Sequence, residues 1–243
     1  MPARLLCIAL AVAASCVLPA PVAGAEPAPV TEPAPVTIAT DEVPARTAFS
    51  ARTLRGDRWG SANENEPRAA LSLAKLYLAD YAVRRGVPAD LAAAERAIRF
   101  SDDAAADTLD AAYPNAVAEI AAEYGLTNTG GGYWGTSTTS TADVATFLLT
   151  KLCTDPGSPI LDWMADAAPV AADGTEQNWG TAEVPGVQGT KWGWSDTGIS
   201  EVASASFGAG YVVVANTIGD TGEHTQDVLA GVGAAALEAA NSR

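Results

Sequence analysis

The chain has 243 residues, 48% of them hydrophobic and 18% charged, enough for one sizeable core and too short for two ordinary domains. Its 29 acidic and 14 basic residues leave a net charge of -15, which repels a polyanion at long range and sets nucleic-acid binding aside. The single histidine, His224, leaves almost no material for a serine–histidine–aspartate triad or a histidine-rich zinc site, and no metal-ligand spacing or cofactor motif is present.

Residues 1–25 read as a secretory signal: Arg4 supplies the positive start, Leu5 to Ala14 the apolar run, and Ala23-Gly24-Ala25 a small-residue cleavage site. The rival reading is a lipoprotein signal with Cys16 as the lipidated residue. The protein is thus expected outside the cytoplasm, secreted or in the cell envelope, as a monomer without a stable membrane span. Cleavage before Glu26 leaves Cys153 as the only cysteine, expected as a buried small hydrophobe behind Phe147-Leu148-Leu149. Residues 26–45 form a proline-rich linker, built on the repeat Glu26–Thr31 and Glu32–Thr37, and a folded domain is expected over 46–243.

Within that domain Phe49 to Leu54 alternates as a strand, and Arg55-Gly56-Asp57 is turn-like. From Pro67 the period becomes helical, with Leu71, Ala74, Leu78 and Ala82 on one face and Gly86 as a stop. Helices follow over Pro88–Phe100, Asp103–Ala112 and Pro114–Tyr124, the last closed by Gly125. Thr127 to Ser140 is loop, Ser140 caps a helix through about Leu152 with Asp143 in its first turn, and Pro159–Asp166 is a short helix. Val187–Trp194, Glu201–Phe207 and Tyr211–Asn216 are strand-like with turn-sized gaps, an antiparallel meander, and Gln226–Ala240 closes the chain as a helix. This order gives an α/β fold of the α+β type, an antiparallel sheet with a helical subdomain.

Three short motifs carry the chemistry. Ser72-Leu73-Ala74-Lys75 places a hydroxyl and an amine on one helix face, where a desolvated lysine can act as a base. Ser101-Asp102-Asp103 lies at a junction between helices, and Lys191-Trp192-Gly193 on the first strand of the meander. Their order and spacing match S-x-x-K, S-D-N and K-T-G. With Pro67–Leu76 and Thr138–Asp143 as further counterparts, the sequence resembles the class A β-lactamase and D-alanyl-D-alanine peptidase superfamily over about Phe49 to Ala240.

The resemblance implies a β-lactamase/transpeptidase-like fold and an acyl-transfer site. Ser72 would be the nucleophile, Lys75 its general base and Ser101 a proton relay to the leaving nitrogen. The backbone N–H groups of Ser72 and Trp194 would form an oxyanion hole. Lys191 would attract the substrate carboxylate, with Asp103, Trp192 and Gly193 at the substrate-binding strand and loop. The implied partner is a small molecule, a peptidoglycan stem peptide or a β-lactam.

Three departures bear on activity. Asp103 stands in place of asparagine and would hold Lys75 protonated. Trp192 replaces a hydroxyl residue and would add bulk near the substrate carboxylate. The deacylating glutamate has no counterpart, since Glu119 and Glu123 fall on a polar helix face. Three readings follow: an exported serine acyl-enzyme hydrolase with slow deacylation, a non-catalytic cell-envelope binding or structural protein of the same fold, and a β-lactamase with an unusual deacylating group.

Overall fold

A computed structural model describes residues 36–37, 43–196, 198 and 200–241, with backbone alone for 36–37 and 234–241. The proposed signal, Cys16 and most of the proline-rich linker lie outside the described residues. No helix among the described residues is long and apolar enough to cross a membrane.

The main sheet has six strands in the order β1-β3-β2-β8-β7-β6. β2 (Thr47–Thr53), β3 (Arg58–Gly60), β6 (Val187–Trp194), β7 (Glu201–Gly208) and β8 (Tyr211–Ile218) pair antiparallel. β1 (Val36–Thr37), the end of the proline-rich repeat, adds a parallel pair with Trp59 and Gly60. A second, two-stranded pair joins β4 (Arg68–Ala69) to β5 (Thr138–Thr139), so the supposed loop 127–140 is partly tied down just ahead of Ser72.

The helices are α1 (Ala74–Arg85), α2 (Leu91–Arg99), α3 (Asp103–Ala112), α4 (Ala116–Tyr124), α5 (Thr141–Thr154), α6 (Pro159–Ala165) and α7 (Thr221–Asn241). The alternation of β8 sorts its side chains between two layers. Val212 and Val214 join the larger core with α1 to α6, whereas Val213 and Ala215 face the opposite layer with Phe49 and Val228 of α7. Capping follows the sequence at α5, where Ser140 Oγ accepts from Asp143 N–H at 3.1 Å.

Two local expectations change. Gly86 ends α1 in an extended conformation, φ -75° and ψ 177°, where a Cβ would meet the Ala82 carbonyl at 2.5 Å; close approach selects glycine there, not a left-handed turn. Gly125, at φ 67°, does take the left-handed cap. Cys153 is exposed, because the apolar face of α5 turns Phe147 and Leu148 inward and carries position 153 outward.

Between the sheet and α7 runs a buried polar seam. Thr47 Oγ1 donates to the Asp227 carboxylate at 2.6 Å, so it accepts from Thr217 Oγ1 at 2.7 Å. Thr217 must then accept from His224 Nδ1–H, which leaves Nε2 to accept from Ser204 Oγ at 2.7 Å. One tautomer of His224 satisfies the whole chain. Burial lowers its pKa to about 4, against the opposing charge of Asp227. Ser204 and His224 are fully buried, so this pair is structural and offers no second nucleophile.

Candidate active site

Ser72 sits in a single 3-10 turn, Leu71–Leu73, that leads directly into α1. The first N–H groups of such a segment lack partners within it and are available to a ligand. Leu71, immediately before Ser72, has φ 51°, and Ser101 has φ 49°. Positive φ is costly for a residue with a Cβ, roughly 1–2 kcal/mol, and here it falls on Leu71, directly before the hydroxyl of Ser72, and on Ser101, whose own hydroxyl faces the same lysine.

That lysine is Lys75. It is completely buried, and its Nζ lies 2.9 Å from Ser72 Oγ, 2.7 Å from Ser101 O, 3.3 Å from Ser101 Oγ and 2.5 Å from Asp103 Oδ1. Trp134 covers it, with the ring centroid 4.7 Å from Nζ. Burial lowers the Lys75 pKa, and the bond and charge of Asp103 oppose this without reversing it. The expected hold of Asp103 on the Lys75 proton is thus present but opposed by desolvation, the larger influence.

Ser101 connects this amine to a second one. Lys191 Nζ donates to Ser101 Oγ at 2.7 Å and to the Trp192 carbonyl at 2.9 Å. Burial and the neighbouring charge of Lys75 push the Lys191 pKa well below its ordinary value. Ser72, Lys75, Ser101 and Lys191 thus form one continuous hydrogen-bonded chain. Asp102 takes a different part: its side chain caps α3 by accepting from Ala105 N–H at 3.2 Å and pairs with Arg96.

The free edge of β6 closes the site. Ser195 N–H donates to Glu201 O at 2.9 Å, which makes these a bonded pair of the antiparallel ladder. By alternation, the N–H of Trp194 and the carbonyl of Trp192 point off the edge, as the Lys191 contact to Trp192 O confirms. Gly193 allows the approach: a Cβ there would lie 2.7 Å from Ser72 N. The Trp194 N–H thus lies on the outer edge of β6, beside the turn that holds Ser72.

Lys191 and Trp192 are adjacent on a strand and so face opposite layers. The Trp192 side chain packs with Trp179 and Val202, and its indole N–H donates to Trp179 O at 2.8 Å. Its bulk does not enter the cleft, contrary to what the sequence position suggested. Glu119 and Glu123 also lie away from the site, paired with Arg85 and with Arg84 and Arg85 respectively.

Ser72 opens into a cleft of about 500 Å³. Trp134 and Trp194 could be read from the sequence as core or cleft lining, whereas Tyr133, Asp173 and Glu201 were not singled out. Tyr133 and Trp134 come from the Gly- and Thr-rich segment, where two adjacent aromatics in a polar stretch are the signal that marks them. Asp173 and Glu201 also line the cleft, and no motif or spacing pointed to either. Trp134 is locked by α3, its indole N–H donating to Asp107 at 2.8 Å and its backbone N–H to Asp110 at 3.2 Å. Among the described residues no cluster of histidine, cysteine and carboxylate groups is arranged to hold a metal ion.

No protein-family profile and no curated protein matches the chain. Solved structures do. A class A β-lactamase from Mycobacterium abscessus superposes with a TM-score of 0.61 at 15% identity, over 83% of this chain and 96% of that one. Penicillin-binding protein D2 from Listeria monocytogenes, in its cefotaxime-bound form, gives 0.57 at 15%, over 77% and 96%. A variant of the ancestral Gram-negative class A β-lactamase, bound to 5(6)-nitrobenzotriazole, gives 0.60 at 20%, over 79% and 93%. The chain has the α+β fold of the class A β-lactamases and penicillin-binding protein D2.

Proposed function

We propose that the protein is an exported serine acyl-enzyme hydrolase of the β-lactamase/D,D-peptidase type, with slow deacylation. The observation that carries this reading is the unbroken chain from Ser72 Oγ through Lys75 Nζ and Ser101 Oγ to Lys191 Nζ. In its neutral form Lys75 takes the proton of Ser72 as Oγ attacks a carbonyl carbon. The N–H groups of Ser72 and Trp194 receive the developing oxyanion. Ser101 passes a proton to the leaving group, held in register by Lys191.

Deacylation needs a second base to activate water. The glutamates of α4 are spent on arginines, and Trp134 fills the space over Lys75. An acyl-enzyme is therefore expected to accumulate. The ion pair between Lys75 and Asp103 favours the alternative of a catalytically impaired binding or structural protein, because a proton must leave that pair before Lys75 can act.

Intact-mass measurement over time separates the two. The protein is treated with benzylpenicillin and, in parallel, with a neutral activated thioester. A persistent adduct on Ser72 that disappears in Ser72→Ala supports the hydrolase. No adduct with either reagent, in a protein that remains folded, supports the binding protein.

A further inference from the structure

The cleft wall carries charge of one sign. Asp103, Asp173, Asp196 and Glu201 line it, and among the described residues no lysine or arginine does. Both lysines of the site lie fully buried beneath the surface. Lys75 is matched by Asp103, and Lys191 gives its donors to Ser101 and Trp192. Neither presents an ammonium to an incoming ligand.

Asp173 and Glu201 are held by neutral donors. Asp173 accepts from Thr175 N–H at 2.9 Å and from the Trp194 indole at 3.1 Å, and Glu201 accepts from the Asn216 amide at 3.0 Å. Among the described residues no ion pair within 4.0 Å is made by Asp173, Asp196 or Glu201. Arg68, the cation nearest Glu201 through Asn216, is committed to the carbonyls of Ala45, Arg46 and Asn216 and to Glu66. Tyr133, Trp134 and Trp194 add aromatic surface to the same wall, a second feature that attracts cations. A carboxylate-bearing ligand meets repulsion here with no exposed cation to offset it.

We infer that the cleft selects a basic peptide-like acyl donor, one carrying a protonated amine or guanidinium, over a donor carrying a carboxylate. This rests on the reading of Ser72 as the acyl acceptor. The bond from Ser72 Oγ to the acyl carbon forms and the bond from that carbon to the leaving group breaks. The serine proton travels by Lys75 and Ser101 to the departing atom, and water later restores Ser72 and releases the acid. Asp173 and Glu201 hold the cationic end while this occurs.

The test uses three thioesters of one scaffold that differ only in a terminal ammonium, acetamide or carboxylate. Acylation of Ser72 is followed by mass at low salt. The ammonium compound should react at least about tenfold faster than the carboxylate, the size expected of one or two wet-surface charges within several Å. The spread should contract in Asp173→Asn and Glu201→Gln and at high salt. Equal rates, or a faster carboxylate, would overturn the inference while leaving the nucleophile intact. If no thioester acylates Ser72, the functional reading fails, and calorimetry on Ser72→Ala with the corresponding unreactive amides then decides the charge preference alone. Tighter binding of the ammonium amide, weakened in Asp173→Asn and Glu201→Gln, sustains it; equal or reversed affinities overturn it.

Discussion

Lys75 is pulled in two directions, and the pull of Asp103 can be removed. Asp103 raises the Lys75 pKa, so Asp103→Asn lets burial lower it further and exposes the free amine at lower pH. The acid limb of the acylation rate against pH should move down, with about tenfold more rate on that limb for each unit of pKa lost. An unmoved limb would show that Asp103 does not govern the base. Trp192 calls for a different expectation. Trp192→Thr removes a buried indole and its bond to Trp179, so it should cost about 3 kcal/mol or more in urea unfolding and leave substrate charge preference unchanged. The pairing of Ser72 with Lys75 was legible in the sequence because i, i+3 spacing on a helix puts both groups on one face. Ser101 and Lys191 were reached through the motif resemblance and not through spacing. The side of the strand taken by Trp192 was not legible, since K-W-G alone does not say which layer each residue faces.

Among the elements, β6 does most for the site. Gly193 lets the strand, with the Trp194 N–H on its outer edge, pack against the turn that holds Ser72. Gly193→Ala should displace that edge and lower the acylation rate by about 10²-fold, the cost of losing an oxyanion donor, with little change in secondary structure by circular dichroism. The helices and the meander were readable from periodicity, and Ser140 from its cap. The short pairs β1–β3 and β4–β5 were not: they contain two or three residues each, below the length at which alternation gives a signal, and their partners are distant in sequence. The 3-10 turn at Leu71 escaped for a related reason, because the apolar spacing ran through it into α1 unbroken.

For the molecule as a whole, the seam between sheet and α7 contributes to the response to acid. His224 is neutral in the fold with a pKa near about 4, against 6.5 for the ordinary group. Between those values the unfolded chain binds a proton that the folded one does not. Stability therefore falls as pH drops through 6.5 towards about 4, by roughly 3 kcal/mol if His224 acts alone. Urea unfolding across that window should show the slope, and His224→Gln should flatten it from a lower starting stability. The same residue gives the protein a built-in reporter. With one histidine in 243 residues, a single pair of imidazole nitrogen resonances records whether Nδ1 carries the proton, and hence whether α7 is seated on the sheet, without any label being introduced by mutation.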